Sequence, residues 1–422
     1  MPRPLRRTVV LGMNYPPEST GISPYTGGLA RGLARRGITT QVLTAHPHYP
    51  AWRIDEGYGQ WKRAERSEGV EVLRLRHYVP ARPRGLARLL SEVTFGIRLA
   101  TTPWGSADAV VAVSPALFAT WIATARARLT HRDAPFVVWV QDLYGQGMSQ
   151  LEGDGLAARI LRSAERRLLN GADHVVVIHD RFRARVRDDL GVDDSRISVV
   201  RNWSHVDRTP PTDPTGTRAL LGWGPHERIV LHAGNMGLKQ GLDNVVAAAR
   251  AAHERGSAVR FVLLGDGSER ERLHREAAEL PSLTFTPALG DDLFLAALGA
   301  ADVLLVNERP GVTDMAVPSK LTSYFAAGRP VLAATDAHSI TADEVRAAGA
   351  GVVVPADEPI ALLDAALALC HDAPAALRLG ASGRRYCETV LDAEHAVDRF
   401  AELLSDVVRR SRAEGHRQRT VA

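Results

Sequence analysis

Two successive runs of short apolar strands alternating with amphipathic helices constrain this 422-residue chain more than any other feature in it. In the first half, residues 8–11, 39–43, 70–75, 109–113, 136–140 and 174–178 read as strands. They are rich in Val, Ile and Leu and nearly continuous, as parallel strands buried on both faces must be. Helical patterns at 24–36 and 156–170 lie between them. The second half repeats the scheme, with strands at 228–232, 260–264, 283–286, 303–306, 331–334 and 351–354 and helices at 242–255, 268–280, 318–327 and 340–348. Repeated βαβ units imply an α/β protein with two Rossmann-like, doubly wound parallel sheets facing a central cleft.

The length fits two such domains. We place a first domain at 1–200, a linker at 201–227, a second domain at 228–390 and a terminal helix at 391–412. The linker rests on a polar segment with Pro210, Pro211, Pro214 and Gly216. The helix carries Ala396, Phe400, Leu403, Leu404 and Val407 on one stripe and leads into an arginine-rich tail expected to fray. No run approaches the ~20 apolar residues a membrane span needs. Cys370 and Cys387 are the only cysteines, which fits a reducing, cytoplasmic setting and excludes a cysteine-rich zinc site. Residues 1–200 hold 28 Lys and Arg against 19 Asp and Glu, whereas 201–422 hold 24 against 29. A solvated basic face accounts for the excess in the first half. So does a domain that rests on anionic lipid at the inner face of the plasma membrane or handles a phosphorylated acceptor.

In open α/β sheets, ligands bind beyond the carboxyl ends of the strands, where helix N-termini offer amide donors. Four segments follow strands in that way. In the loop after the first strand, Gly21 lets the backbone approach a phosphate or simply makes a turn. The corresponding loop of the second half, Ala-Gly-Asn-Met-Gly-Leu-Lys-Gln-Gly-Leu-Asp, offers Gly234, Asn235 and Lys239. A cation at a helix start is disfavoured unless an anion joins it, which favours a diphosphate partner over a solvated lysine. At the third, Gly265 and Asp266 suit base or ribose recognition, with Ser268 as an alternative helix cap. In the fourth, Asp314 either bonds sugar hydroxyls or caps a turn, and the helix opened by Pro318 presents Lys320, Leu321 and Ser323. No G-x-G-x-x-G fingerprint is present, which argues against a dehydrogenase. His46 and His48 in Ala-His-Pro-His-Tyr could be a metal pair, but a loop near an acceptor is the preferred reading.

Tyr-Pro-Pro-Glu followed by Gly21, the Ala233-to-Asp243 loop, and Pro-Ser-Lys-Leu-Thr followed by Ala-Gly-Arg-Pro-Val resemble the family-4 retaining glycosyltransferases. The similarity is greatest to the branch of colanic-acid and O-antigen transferases and spans roughly residues 8–405. The resemblance implies the GT-B fold and transfer of a hexose or N-acetylhexosamine-type sugar from a nucleotide-sugar, with UDP as the expected nucleotide. It implies retention of configuration, no metal or other cofactor, and an acceptor in cell-surface polysaccharide or glycolipid assembly. Gly21 matches the glycine that meets the donor phosphate, Lys239 the lysine that clamps the diphosphate, and Lys320 the lysine of the Pro-Ser-Lys variant. The sequence departs from the family at its Glu-x7-Glu pair, where it has Met315 and Ser323. It departs again at a first-domain histidine, where it has Gln141 and Asp142, the latter preferred as the polar contact to the reacting sugar or acceptor. The stretch 82–98 mixes arginines with leucines and suits either a lipid-surface helix or one packed on the sheet. A soluble acceptor such as a natural-product aglycone, and a catalytically silent nucleotide-sugar-binding subunit, are the competing functions.

Overall fold

The computed structural model describes residues 5–18, 21–82, 85–143, 155–204, 213–278, 280–312 and 320–421. They form two units, one of residues 1–202 with 393–422, the other of residues 203–392.

The first unit is built on β1 (Arg7–Leu11), β2 (Thr39–Ala45), β3 (Lys62–Ser67), β4 (Val70–Leu75), β5 (Ala109–Ser114), β6 (Phe136–Val140), β7 (His174–Val177) and β8 (Ile197–Val199). Their spatial order is β3-β4-β2-β1-β5-β6-β7-β8, parallel except where β3 meets β4. The central strands are buried along almost their whole length, which is why they read as continuous apolar runs. The charged edge strand β3 has no such run, so the apolar pattern of the sequence does not reveal it. It joins β4 through the two-residue turn Glu68-Gly69, with φ of +47° and +81°, and its lysine and arginines guard the sheet edge. Nor does that pattern reveal the three-residue β8.

Helices α1 (Ser23–Arg35), α2 (Gly85–Thr101), α3 (Leu117–Thr130), α4 (Leu156–Gly171) and α5 (Asp180–Asp188) connect the strands. Most of the stretch 82–98 falls in α2, which buries Phe95 and Leu99 and leaves Leu86, Leu90 and Ile97 exposed.

The second unit begins with α6 (Pro214–Leu220) and holds β9 (Arg228–Ala233), β10 (Val259–Leu264), β11 (Leu283–Thr286), β12 (Val303–Asn307), β13 (Val331–Ala334) and β14 (Gly351–Val354). Their order is β11-β10-β9-β12-β13-β14, all parallel. On one face α7 (Asp243–Glu254), α8 (Arg270–Glu276) and α12 (Pro359–His371) bury Val245, Leu273 and Leu362. On the other, α9 (Asp291–Ala300), α10 (Lys320–Ala327), α11 (Ile340–Ala348) and α13 (Ala373–Thr389) bury Leu298, Phe325 and Val345.

The anticipated linker is shorter than 201–227. Asp213 accepts from the Gly216 amide, Pro214 occupies the first turn of α6, and Arg218 reaches the Ala300 carbonyl and Asp302, so this part belongs to the second unit. Pro214 is pre-set for a helix start and opens α6 instead of a linker. Residues 205–212 lie outside the described residues.

The last helix, α14 (Ala393–Val421), belongs to the first unit and runs past the tail that was expected to fray. Phe400 is fully buried with its ring 5.1 Å from that of Trp139. Gly32 on α1 admits Val397 so closely that a β-carbon there would stand 2.6 Å from a valine methyl. Arg36 binds Asp398 and Glu394, and Arg412 binds Asp108. Among the described residues no single helix is long and apolar enough to cross a membrane.

Candidate active site

The strand order reverses at β9 and β12 in the second unit and at β1 and β5 in the first. A doubly wound sheet opens its ligand crevice at such a point.

In the second unit, the chain leaving β9 and β10 is drawn together by backbone bonds. Gly234 N donates to Leu264 O at 2.9 Å, Met236 N to Asp266 O at 2.8 Å, and Glu269 N to Met236 O at 2.9 Å. Gly265 lies where no other residue fits. Its φ is +130°, and a β-carbon would stand 2.2 Å from the Gly234 carbonyl oxygen. Bare backbone therefore lines the end of these strands. The tie from Glu269 to Met236 also explains why the anticipated helix at 268–280 is only Arg270–Glu276.

Lys320, the first residue of α10, comes to the same place. Its Nζ lies 3.4 Å from His232 Nε2 and 3.9 Å from the position a β-carbon on Gly234 would take. Burial pushes this lysine down to about 8, opposed by the Glu308 carboxylate. Glu308 accepts from the Thr335 and Thr341 hydroxyls at 2.6 and 2.8 Å, and burial pushes its carboxyl above the usual range. Burial, reinforced by Lys320, holds the fully buried His232 neutral. Its Nε2 lies 3.4 Å from both the Lys320 ammonium and the Asn235 carbonyl oxygen.

The loop carrying Lys239 is a short 3₁₀ turn, Leu238–Gln240. Buried Asn307, at the end of β12, donates to the Gln240 and Gly241 carbonyls at 2.7 and 2.9 Å, and Arg309 N donates to the Lys239 carbonyl. The helix beyond starts at Asp243, whose carboxylate is held low by Arg272. An anion thus already stands at that helix start, which weakens the inference drawn from Lys239 alone.

Asn235 and Asp266 are exposed beside the glycines, and Asp266 accepts from the Gly267 amide. Ser323 is buried on α10. Leu321, expected as a donor contact, is instead 1% exposed within the apolar cluster of Leu298 and Phe325, because the periodicity of α10 turns it to the sheet. Asp314, like Met315 and Pro318, lies outside the described residues.

In the first unit Gly21 takes φ +67° at the end of the β1 loop. Gln141 is 3% exposed and exchanges two hydrogen bonds with Asn202, at 3.1 and 2.8 Å. That pairing occupies the amide expected to act on a sugar and makes it a brace between the ends of β6 and β8. Asp142, half-buried next to it, accepts from the Leu143 amide at 2.9 Å.

Sequence reasoning missed His232, Glu308 and Tyr324, whose hydroxyl accepts from Ala233 N at 2.8 Å. The signals were present: a lone histidine inside an apolar strand, and an acid directly after a strand at the switch point. Among the described residues no group of three or more His, Cys, Asp or Glu is placed to hold a metal ion.

Comparison with known proteins places this geometry in context. Residues 20–203 match the family described as glycosyl transferase 4-like domain, and residues 227–372 match glycosyl transferases group 1. The chain is 31% identical over 348 residues to WcaI of Escherichia coli (strain K12), named for colanic acid biosynthesis glycosyl transfer; the match covers 79% of this chain and 84% of that one. Among solved structures, the sucrose-phosphate synthase of Thermosynechococcus elongatus aligns with a TM-score of 0.71 at 18% identity, over 94% of this chain and 98% of that one. The Anabaena protein HepE, solved in complex with UDP-glucose, aligns with a TM-score of 0.68 at 16% identity, over 94% and 99%. These two likenesses are of fold, and the fold is GT-B.

Proposed function

Since the chain belongs to the glycosyltransferases, in the family of glycosyl transferase 4-like and group 1 domains that serves polysaccharide biosynthesis, we propose that it moves a hexose or N-acetylhexosamine-type sugar from a UDP-sugar to an acceptor in cell-surface polysaccharide or glycolipid assembly. The observation that carries this reading is the meeting of bare backbone at Gly234 and Gly265 with the Lys320 ammonium, at the switch point of the second sheet. A diphosphate suits that place because it needs close amide donors and a cation, and Lys320 lacks a full counter-charge there. The UDP and UDP-glucose held by HepE, on the same fold, support uridine as the base.

In this mechanism Lys239 and Lys320 stabilise the departing nucleoside diphosphate without a metal. The sugar passes through an oxocarbenium-like state. The acceptor hydroxyl attacks from the face the diphosphate leaves, and a phosphate oxygen takes its proton, so configuration is retained. Asn235, Asp266, Asp314 and Ser323 contribute polar contacts to base, ribose or sugar. The enzyme works in the cytoplasm at the inner membrane face, where the exposed Leu86, Leu90 and Ile97 of α2 suit a lipid-linked acceptor.

The test is calorimetric titration of the chain with UDP, GDP and ADP in EDTA, alongside Lys239→Ala. UDP binds in the micromolar range and the variant loses it. Failure of every nucleotide to bind overturns the donor assignment.

A further inference from the structure

Of the 52 Lys and Arg residues in the chain, only Lys62, Lys239 and Lys320 are lysines. Lys62 lies on the charged edge strand β3, whereas Lys239 and Lys320 stand in the segments that follow β9 and β12. Arginine stays protonated in any protein setting, but a buried lysine exchanges its proton readily. At the candidate diphosphate site the chain thus carries amines, whose charge their neighbours can set.

The neighbours of Lys320 come from two adjoining strands. From β9, the neutral His232 places Nε2 3.4 Å from the lysine Nζ. Beside it runs β12, with Leu304 paired to Leu231, and at its end Glu308 supplies the negative charge that favours the ammonium. This carboxylate is not free to swing. Thr335 and Thr341 donate to its Oε2 and Oε1 at 2.6 and 2.8 Å, and its own amide donates to the Ala334 carbonyl at 2.9 Å. The Thr335 hydroxyl lies 2.9 Å from that of Ser339, which accepts from the Ala342 amide and caps α11. Glu308 is therefore built into the turn between β13 and α11. Its hydrogen-bond donors are neutral hydroxyls, and the charges facing it are those of Lys320 and Asp336. Holding a carboxylate out of water without a bonded cation opposes folding, so its place calls for a role at the site. It is neither member of the family's glutamate pair, whose positions hold Met315 and Ser323.

We infer that Glu308, fixed by Thr335 and Thr341, is a positioning residue that keeps Lys320 an ammonium while the site is empty, so that an arriving diphosphate meets a charged clamp. The inference rests on the assignment of Lys320 to the diphosphate and adds how that lysine is controlled. A desolvated amine gives up its proton unless an anion stands by. Once the diphosphate is bound, its own oxygens take that role, and Glu308 becomes a like-charged neighbour that favours release of the product.

Three lysines make the test direct. The full chain labelled with ¹³C-lysine gives three sets of ε-signals, assigned with Lys62→Arg and Lys239→Arg. In a pH titration without nucleotide, Glu308→Gln lowers the proton affinity of Lys320 about tenfold and leaves Lys62 and Lys239 in place. Glu308→Ser, smaller and also uncharged, gives the same change, so a glutamine that packs poorly does not decide the outcome. UDP affinity is then measured by calorimetry from about pH 6 to about pH 9. At the acid end both variants bind UDP at least as tightly as the native chain, and their loss of affinity sets in about one pH unit below the native one. An unchanged Lys320 titration overturns the inference. So does a loss of UDP affinity that is equal at every pH, which a purely structural glutamate would produce. If the native chain binds no UDP, the donor reading falls and the lysine titration alone decides the role of Glu308.

Discussion

Replacing Gly265 by alanine tests how the candidate diphosphate site is built. The new methyl meets the Gly234 carbonyl oxygen at 2.2 Å, far inside contact, and the backbone must hold φ +130°. Holding a non-glycine residue in such a region costs about 1–3 kcal/mol. Forcing atoms into a packed site adds about 1–3 kcal/mol. Gly256 supplies the control within the same unit. Its φ is +59° and a β-carbon there meets nothing within 4 Å, so alanine pays only the left-handed conformation, about 1–2 kcal/mol. The Gly265 variant should therefore lose roughly 3 kcal/mol more than the Gly256 variant. For a unit of this size that corresponds to about 6–12 °C in melting temperature. Differential scanning calorimetry of both variants in the full chain reads the difference, and UDP titration should fail for Gly265→Ala while surviving in Gly256→Ala. Equal melting of the two variants would refute the claim that the β9 and β10 loops meet without side chains between them.

The remaining expectations concern the buried lysine and the last helix. Lys320 is held at about 8 against an ordinary 10.5, so between those values the unfolded chain binds more protons and stability rises with pH. Denaturant midpoints measured below and within that window should climb in the native chain and climb less in Lys320→Met; an identical slope in both would show that the lysine is solvated. Saturating UDP should pull Lys320 back toward its ordinary value and flatten the climb, which the same series repeated with nucleotide checks. Phe400→Ala removes a fully buried ring packed on Trp139 and should cost about 3–5 kcal/mol in urea unfolding of the first unit, with tryptophan fluorescence as the probe. A loss under about 1 kcal/mol would mean that α14 is not part of that core.

Much of the architecture was legible because parallel strands covered on both faces must be apolar along their length. The runs at 136–140 and 303–306 reappear as β6 and β12 with little shift of boundary. The same logic hid β3, an edge strand that has no buried face to advertise. It also turned a helix-starting proline at Pro214 into linker.

At the site, local chemistry identified glycine loops and lysines after strands, since those residue types are rare there without a backbone or charge reason. The sequence by itself determined two doubly wound sheets and the glycine- and lysine-bearing loops that follow their strands. Only the tertiary structure decided which groups meet: Lys320 with His232 and Glu308, Gln141 locked to Asn202, Leu321 turned into the core, and Glu18 beneath His48. These pairs lie 30 to 88 residues apart along the chain where they bond directly. Sequence periodicity reports which face of its own element a residue takes. It carries no information about the partner that a second strand or helix brings to that face, and the partner sets charge state and role.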